Sequence, residues 1–486
     1  MESENQIRKP FLIVVSVAVI FSALSFIPTQ FNIFNFTSKK IDFFSDLTRK
    51  NSLPPKKEIQ ELRKPYPDFV DKDSLSFKKG FYRIQNFSDV QNDQLALMCQ
   101  PLINVKTKGK KVRIAWFGDS LIEGDIIIQD VRNILQKKFG GKGVGMMPIT
   151  TIPAELATFR QSIAHQFSNN WKTISLAEKG KEATQSVSGE VFIPHWQKDS
   201  TAIDTGTKIS ADFSWVAYET VKRNQTGLDT FHVIKLFYSH VDSSAHVRVI
   251  KNGRWASTLK LEKGNALHVL TLNDSIPCQS IKLIFQCLSE MYVYGVSFES
   301  DEGIHVDCFS MRGSSGVPMS VLNTGMMNSF QQQLNYNLIV LQFGLNIVTN
   351  TSDNYDWYKR SFVKTLDHVK ECFPGAAIMI ASCSDRSTKR NGEYVTMTYL
   401  PAFVDTQESM ASHEHLLFWN LFEAMGGEGS MAAMVDSKDP LANKDYTHFK
   451  AMGGAMIAED FSYALLYEYN HFLYEEEKKK NKNMNP

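Results

Sequence analysis

Ser120 sits in Phe117-Gly118-Asp119-Ser120-Leu121, where a long apolar run ends in a small polar corner. Far downstream, Asp445 and His448 stand three residues apart in Asp445-Tyr446-Thr447-His448, close enough to pair within one turn of chain. A serine hydroxyl becomes a useful nucleophile when a histidine takes its proton, and that histidine needs a carboxylate to fix its tautomer and steady the imidazolium. Ser120, His448 and Asp445 meet those requirements. Acyl transfer also needs donors where the oxyanion develops. The candidates are the backbone N–H groups of Ser120 and Gly316, in Gly313-Ser314-Ser315-Gly316, and the side-chain amide of Asn346, in Gly344-Leu345-Asn346. Asp119, Gly313 and Gly344 are the expected supporting residues. Each string alone is ordinary, since Gly-Asp-Ser starts helices and Gly-rich strings make loops. Their order, and their shared position after apolar runs, points to serine hydrolysis.

To bring such distant residues into one cleft, the chain must place them at the carboxyl ends of neighbouring parallel strands. The patterning agrees. "VRIAWF" reads as a strand buried on both faces, followed by the helical pattern "DIIIQDVRNILQKKFG" with Asp125 as its expected N-cap and Gly140-Gly141 as its stop. "YNLIVLQFG" (336–344), the helix-like 362–375 and "AAIMIASC" (376–383) repeat this grammar. Between them, over 155–300, the period is two. "FHVIKLFYSH", "AHVRVIKNGRWASTLKL", "SIKLIFQC" and "MYVYGVSFE" are β-branched and aromatic runs split by turns, with Asn252-Gly253 a hairpin signal. The expectation is an α/β domain in two parts, 91–154 and 301–473, interrupted by a β-sandwich-like module.

"FGDSL", "GSSG", "FGLN" and "DYTH" occur in the order of four sequence blocks of the SGNH, or GDSL-type, hydrolases, which the α/β parts of the chain resemble. The resemblance implies a flavodoxin-like three-layer domain with Ser120, Asp445 and His448 as triad. It implies an oxyanion hole of Ser120, Gly316 and Asn346. The long interval between Ser120 and Gly316 is similar to that of peptidoglycan O-acetylesterases, whose inserted module is of the carbohydrate-binding type. The expected activity is removal of O-acetyl groups from a cell-wall or exported polysaccharide, peptidoglycan first, with no metal or cofactor. O-acetyl transfer on the same glycans, general lipase or esterase activity, and non-catalytic polysaccharide binding are the alternatives. Trp171, Trp196, Trp215 and Trp255 of the module either stack on sugars or fill its core.

The N-terminus sets the location. Arg8, Lys9 and Pro10 precede the uncharged run Phe11–Ile27, which stops at Pro28 without a cleavage-site pattern. This reads as a signal anchor over 1–28, with a stalk over 29–90, the body outside the cytoplasm (periplasmic in a Gram-negative cell) and a charged tail over 474–486. A net charge of +1 across 486 residues gives no electrostatic reason to expect nucleic acid. Six cysteines lack zinc spacing; Cys278 and Cys287 either bridge or stand as isolated buried thiols. His413 and His415 suit a solvated segment, and Arg312 either contacts substrate or caps its turn.

Overall fold

The computed structural model describes residues 81–151, 163–176, 184–196, 213–221, 229–272 and 278–484, with one short antiparallel strand pair at Asn32–Ile33 and Phe36–Thr37. The expected anchor at 1–28 lies outside the described residues, as does most of the expected stalk. Among the described residues no helix is long and apolar enough to cross a membrane.

Strand β2 (Lys111–Gly118) is buried from Val112 to Gly118, so its two faces must both meet apolar partners. Successive side chains point oppositely: the Trp116 ring meets Phe461 at 4.5 Å, whereas Phe117 meets Phe309 at 5.0 Å and Phe373 at 6.1 Å. The sheet built around it contains β1 (Ile84–Asn86), β3 (Gly303–Ser310), β4 (Tyr336–Gln342), β5 (Ala377–Ala381) and β6 (Leu417–Trp419). Their spatial order is β3-β2-β4-β5-β6-β1. The pairings among β2 to β6 are all parallel, and β1 joins β6 antiparallel. Counting the parallel strands alone, the order second, first, third, fourth, fifth is the flavodoxin-like winding, whose switch point falls between β2 and β4. Strand β1 lies inside the segment expected to be a stalk. Its three residues are too few to carry a periodic signal, and the sheet edge claims them.

Helices α1 (Gln94–Lys108) and α2 (Ile128–Phe139) pack with the long C-terminal α6 (Ala451–Met484), while α4 (Asp356–Cys372) packs with α3 (Thr324–Leu334) and α5 (Leu400–His413). Asp125 is not the N-cap of α2. The helix starts at Ile128, and Asp125, with φ 66°, turns its carboxylate to the Arg132 guanidinium at 2.8 and 3.0 Å, because both groups are buried and need each other. The charged tail continues α6 as helix to Met484.

The β-rich segment forms two antiparallel sheets that start at Gly145, ten residues before the expected boundary. One runs His268–Thr271, Val233–Ser239, Tyr292–Glu299, Glu190–Ile193, Lys172–Ser175, with Gly145–Met147 also on Tyr292–Glu299. The other runs Arg254–Lys260, Ala245–Lys251, Ser280–Cys287, Ser214–Thr220, Ile163–Phe167. Asn252 and Gly253, at φ 49° and 73°, make the hairpin turn where expected. Val216, Val247, Leu283, Phe285 and Phe298 fill the space between the sheets. Phe237 and Tyr294 then bring the module onto Phe330 of α3 at 5.7 and 5.6 Å. Cys278 and Cys287 are both buried thiols outside any disulfide. Nearly a full strand separates them, roughly 30 Å at the ordinary rise, which no disulfide spans.

A buried ion network ties module to sheet. The Arg113 guanidinium on β2 donates to Asp307 of β3 at 2.8 Å and pairs with Glu299, the last residue of the module's closing strand. Tyr336 Oη donates to Asp307 at 2.7 Å, and the Met146 N–H donates to it at 2.9 Å.

Candidate active site

The β2 strand ends at Gly118, and the chain turns there into a short 3-10 segment, Ser120–Asp125, whose cap is the Asp119 side chain. That carboxylate accepts from Leu121 N–H at 3.0 Å and from Leu345 N–H at 3.2 Å, as well as from Gly344. It therefore fixes the loop after β2 to the loop after β4 across the switch point. Burial pushes its pKa up to about 6, against the pull of those N–H donors. Ser120, half-buried, faces the mouth of this corner.

His448 arrives from the other end of the chain, just before α6. Gly453 and Gly454, in the first turn of that helix, let its backbone lie against Leu441 O and Ile126 O; a Cβ at either position would overlap those carbonyls. The close approach brings the loop before α6 onto the loop after Ser120. Ser120 Oγ and His448 Nε2 are 2.8 Å apart, and His448 Nδ1 is 2.8 Å from Asp445 Oδ2. The other Asp445 oxygen accepts the N–H groups of Thr447 and His448, each at 3.0 Å. Partial burial raises the Asp445 pKa, but these bonds and the facing imidazole outweigh it and leave the carboxyl below its ordinary range. The three residues thus form an unbroken hydrogen-bonded line, which can move a proton from hydroxyl to imidazole.

Asn346 is exposed at the same sheet end and donates Nδ2–H to Ser314 O at 3.0 Å. Gly316 and Gly313 are placed differently from one another. Gly316 is buried at φ 82°, a Cβ there would overlap Phe343 and Phe362, and its N–H donates to Ser314 Oγ at 3.0 Å. Its N–H therefore reaches an oxyanion only when that hydroxyl turns away. Gly313 is exposed, has open space around it and lines the neighbouring cavity. Gly344, at φ 151°, lies against Cys383 and Phe403.

A cavity of about 560 Å³ opens beside this corner, lined by Thr150, Thr173, Ser188, Met147 and Leu176 of the module and by Arg312, Ser314, Asn346, Met311 and Phe309 of the α/β domain. Glu123, three residues after Ser120, also lines it and accepts from the Arg312 guanidinium at 3.0 Å; burial pushes the Glu123 carboxyl up. The sequence pointed to Arg312 but not to Glu123 or the module's hydroxyls, because side chains that meet only across a domain junction share no local pattern. Of the module's tryptophans, Trp171 packs edge-on to Phe285, Trp196 is partly buried against both cores, Trp215 lies under Lys282 Nζ at 3.7 Å, and Trp255 is largely exposed. His413 pairs with Glu414 at 3.0 Å. No cluster of three metal-ligating side chains occurs among the described residues.

The fold is a flavodoxin-like sheet carrying Ser120, Asn346 and His448 on the loops at its carboxyl end, and it is shared with a solved esterase. A solved peptidoglycan O-acetylesterase is similar over 78% of this chain and 97% of its own, with a TM-score of 0.59 and 19% identity. A family two carbohydrate esterase from Clostridium thermocellum, solved with cellohexaose, covers 61% of this chain and 97% of its own at 8% identity and a TM-score of 0.24. No protein-family model and no curated protein matches the chain.

Proposed function

We propose that this protein is a serine O-acetylesterase acting on an exported polysaccharide, with peptidoglycan as the first candidate. The observation that carries the reading is the line Ser120–His448–Asp445 beside a cavity that a β-sandwich lines with Thr150, Thr173 and Ser188 together with apolar Met147 and Leu176. Those threonine and serine hydroxyls donate and accept, as the dense hydroxyls of a glycan require. Ser120 Oγ attacks the acetyl carbonyl as His448 takes its proton. His448 then returns that proton to the departing sugar oxygen, and a water deprotonated by the same imidazole releases acetate and free Ser120. Asp445 holds the ring in the tautomer this requires. Asn346 Nδ2, and the amides of Ser120 and of the 313–316 loop, supply the oxyanion donors. In this reading Arg8 and Lys9 stay on the cytoplasmic side of an anchor at 11–27, and the enzyme works outside the membrane.

Turnover of an aryl acetate by purified protein, compared with Ser120→Ala, tests the chemistry; a folded protein without turnover above that control refutes it. Asn346→Ala is expected to lower kcat by roughly 10²- to 10³-fold with little change in KM, because the amide stabilises charge that exists only in the transition state. Steady-state kinetics on the same ester check this.

A further inference from the structure

We propose that Tyr394 is a positioning residue whose ring holds the Asp445–His448 turn in its working geometry, an inference that rests on reading those two residues as the acid–base pair. Tyr446, between Asp445 and Thr447, has φ 55°, the left-handed region that favours glycine and disfavours a bulky side chain. A tyrosine left alone there relaxes toward ordinary φ, and rotation at this residue swings Asp445 away from His448. Besides its own N–H to Asn443 O at 3.0 Å and its Oη–H to Asp436 at 3.3 Å, two contacts from a neighbouring hairpin oppose the relaxation. The Tyr394 ring stacks on the Tyr446 ring at 3.5 Å between centroids and 6° between planes. The Ser387 N–H donates to Tyr446 O at 3.1 Å.

Both contacts come from one hairpin, Ser387–Arg390 paired with Glu393–Thr396 through Asn391-Gly392 at φ 52° and 91°. Its root is immobilised. Asp385, fully buried, accepts from Thr396 Oγ1 and from Met431 N–H, each at 2.8 Å. Arg386 Nη1–H donates to Leu345 O at 2.8 Å, one residue before Asn346. A single rigid element thereby braces the turn carrying His448 and the loop carrying Asn346, two parts of the site that are about a hundred residues apart in the chain. Tyr394 itself is 39% exposed, so shortening it opens no buried cavity.

The test uses the full chain with an aryl acetate. Tyr394→Ala is expected to lower kcat ten- to a hundredfold, the scale of a small misplacement of reacting groups, with KM within twofold of wild type. Tyr394→Phe, which keeps the ring, should retain wild-type kcat. The low-field proton resonance of the His448–Asp445 hydrogen bond should be lost in Tyr394→Ala and kept in Tyr394→Phe. In a Tyr446→Gly background, where positive φ carries no strain and the ring that Tyr394 stacks on is gone, Tyr394→Ala should have no further effect; this cycle stands even if the single alanine variant is unstable. Wild-type kcat and resonance in Tyr394→Ala overturn the proposal, as do equal losses in the alanine and phenylalanine variants. A raised KM for acetylated glycan at unchanged kcat would also overturn it, by making Tyr394 a sugar contact. An inactive wild type would instead refute the esterase reading itself.

Discussion

Ser120→Ala and His448→Ala are each expected to remove nearly all aryl-acetate turnover, by on the order of 10⁴- to 10⁶-fold in kcat, while Asp445→Asn falls short of that by roughly two orders of magnitude. Without the Ser120 hydroxyl no acyl-serine forms; without His448 the hydroxyl stays protonated and the leaving alkoxide is expelled unprotonated. Asp445 acts one step removed. It orients the imidazole from a position where its side chain is 49% exposed and that of His448 36%, so water screens part of its charge and replaces part of its hydrogen bonding. The double variant Ser120→Ala/His448→Ala should be no worse than either single one, since the two groups act as a unit. Steady-state and single-turnover rates check both points. Additive losses would mean that the serine and histidine work separately.

Arg113→Met is expected to destabilise the protein by about 3–5 kcal/mol, measured by urea denaturation at neutral pH. The side chains of Arg113, Asp307 and Glu299 are all at most 1% exposed. Removing the guanidinium leaves two carboxylates buried where water cannot reach them. Glu299 keeps the ammonium groups of Lys235 and Lys111, but Asp307 is left with neutral donors, the Tyr336 hydroxyl and the Met146 N–H, which compensate only in part. Because Glu299 belongs to the module and Asp307 to β3, the damage falls on the junction between them. A cost below 1 kcal/mol would show that the network does not hold it.

The candidate site was legible where it is local. Asp445 and His448 are three residues apart, and Ser120 follows a strand that is apolar on both faces, so motif and strand pattern suffice to place them. The two-residue period likewise announced the strands around Asn252-Gly253. What escaped are features settled by distant contact. Arg113 stands inside "VRIAWF", where one charge among apolar residues gives no hint of its partners nearly two hundred residues on. Gly145–Met147 and Ile84–Asn86 are strands of three residues each, defined by the sheets that accept them. The Gly316 N–H donates to Ser314 Oγ, a local side-chain contact that a Gly-Ser-Ser-Gly string does not reveal. The Asn391-Gly392 hairpin carried a readable signal; its importance lies in what it touches, which only the fold shows.

Acetate release from O-acetylated peptidoglycan, measured beside hydrolysis of an octanoyl ester with Ser120→Ala as control, tests the central claim most directly. The cavity beside Ser120 carries threonine and serine hydroxyls among apolar side chains and joins a β-sandwich of the size a polymer needs, so the protein is expected to free acetate from the glycan, to lose that activity in Ser120→Ala, and to act poorly on the octanoyl chain. Efficient cleavage of the octanoyl ester with acetylated glycan left intact would contradict the account.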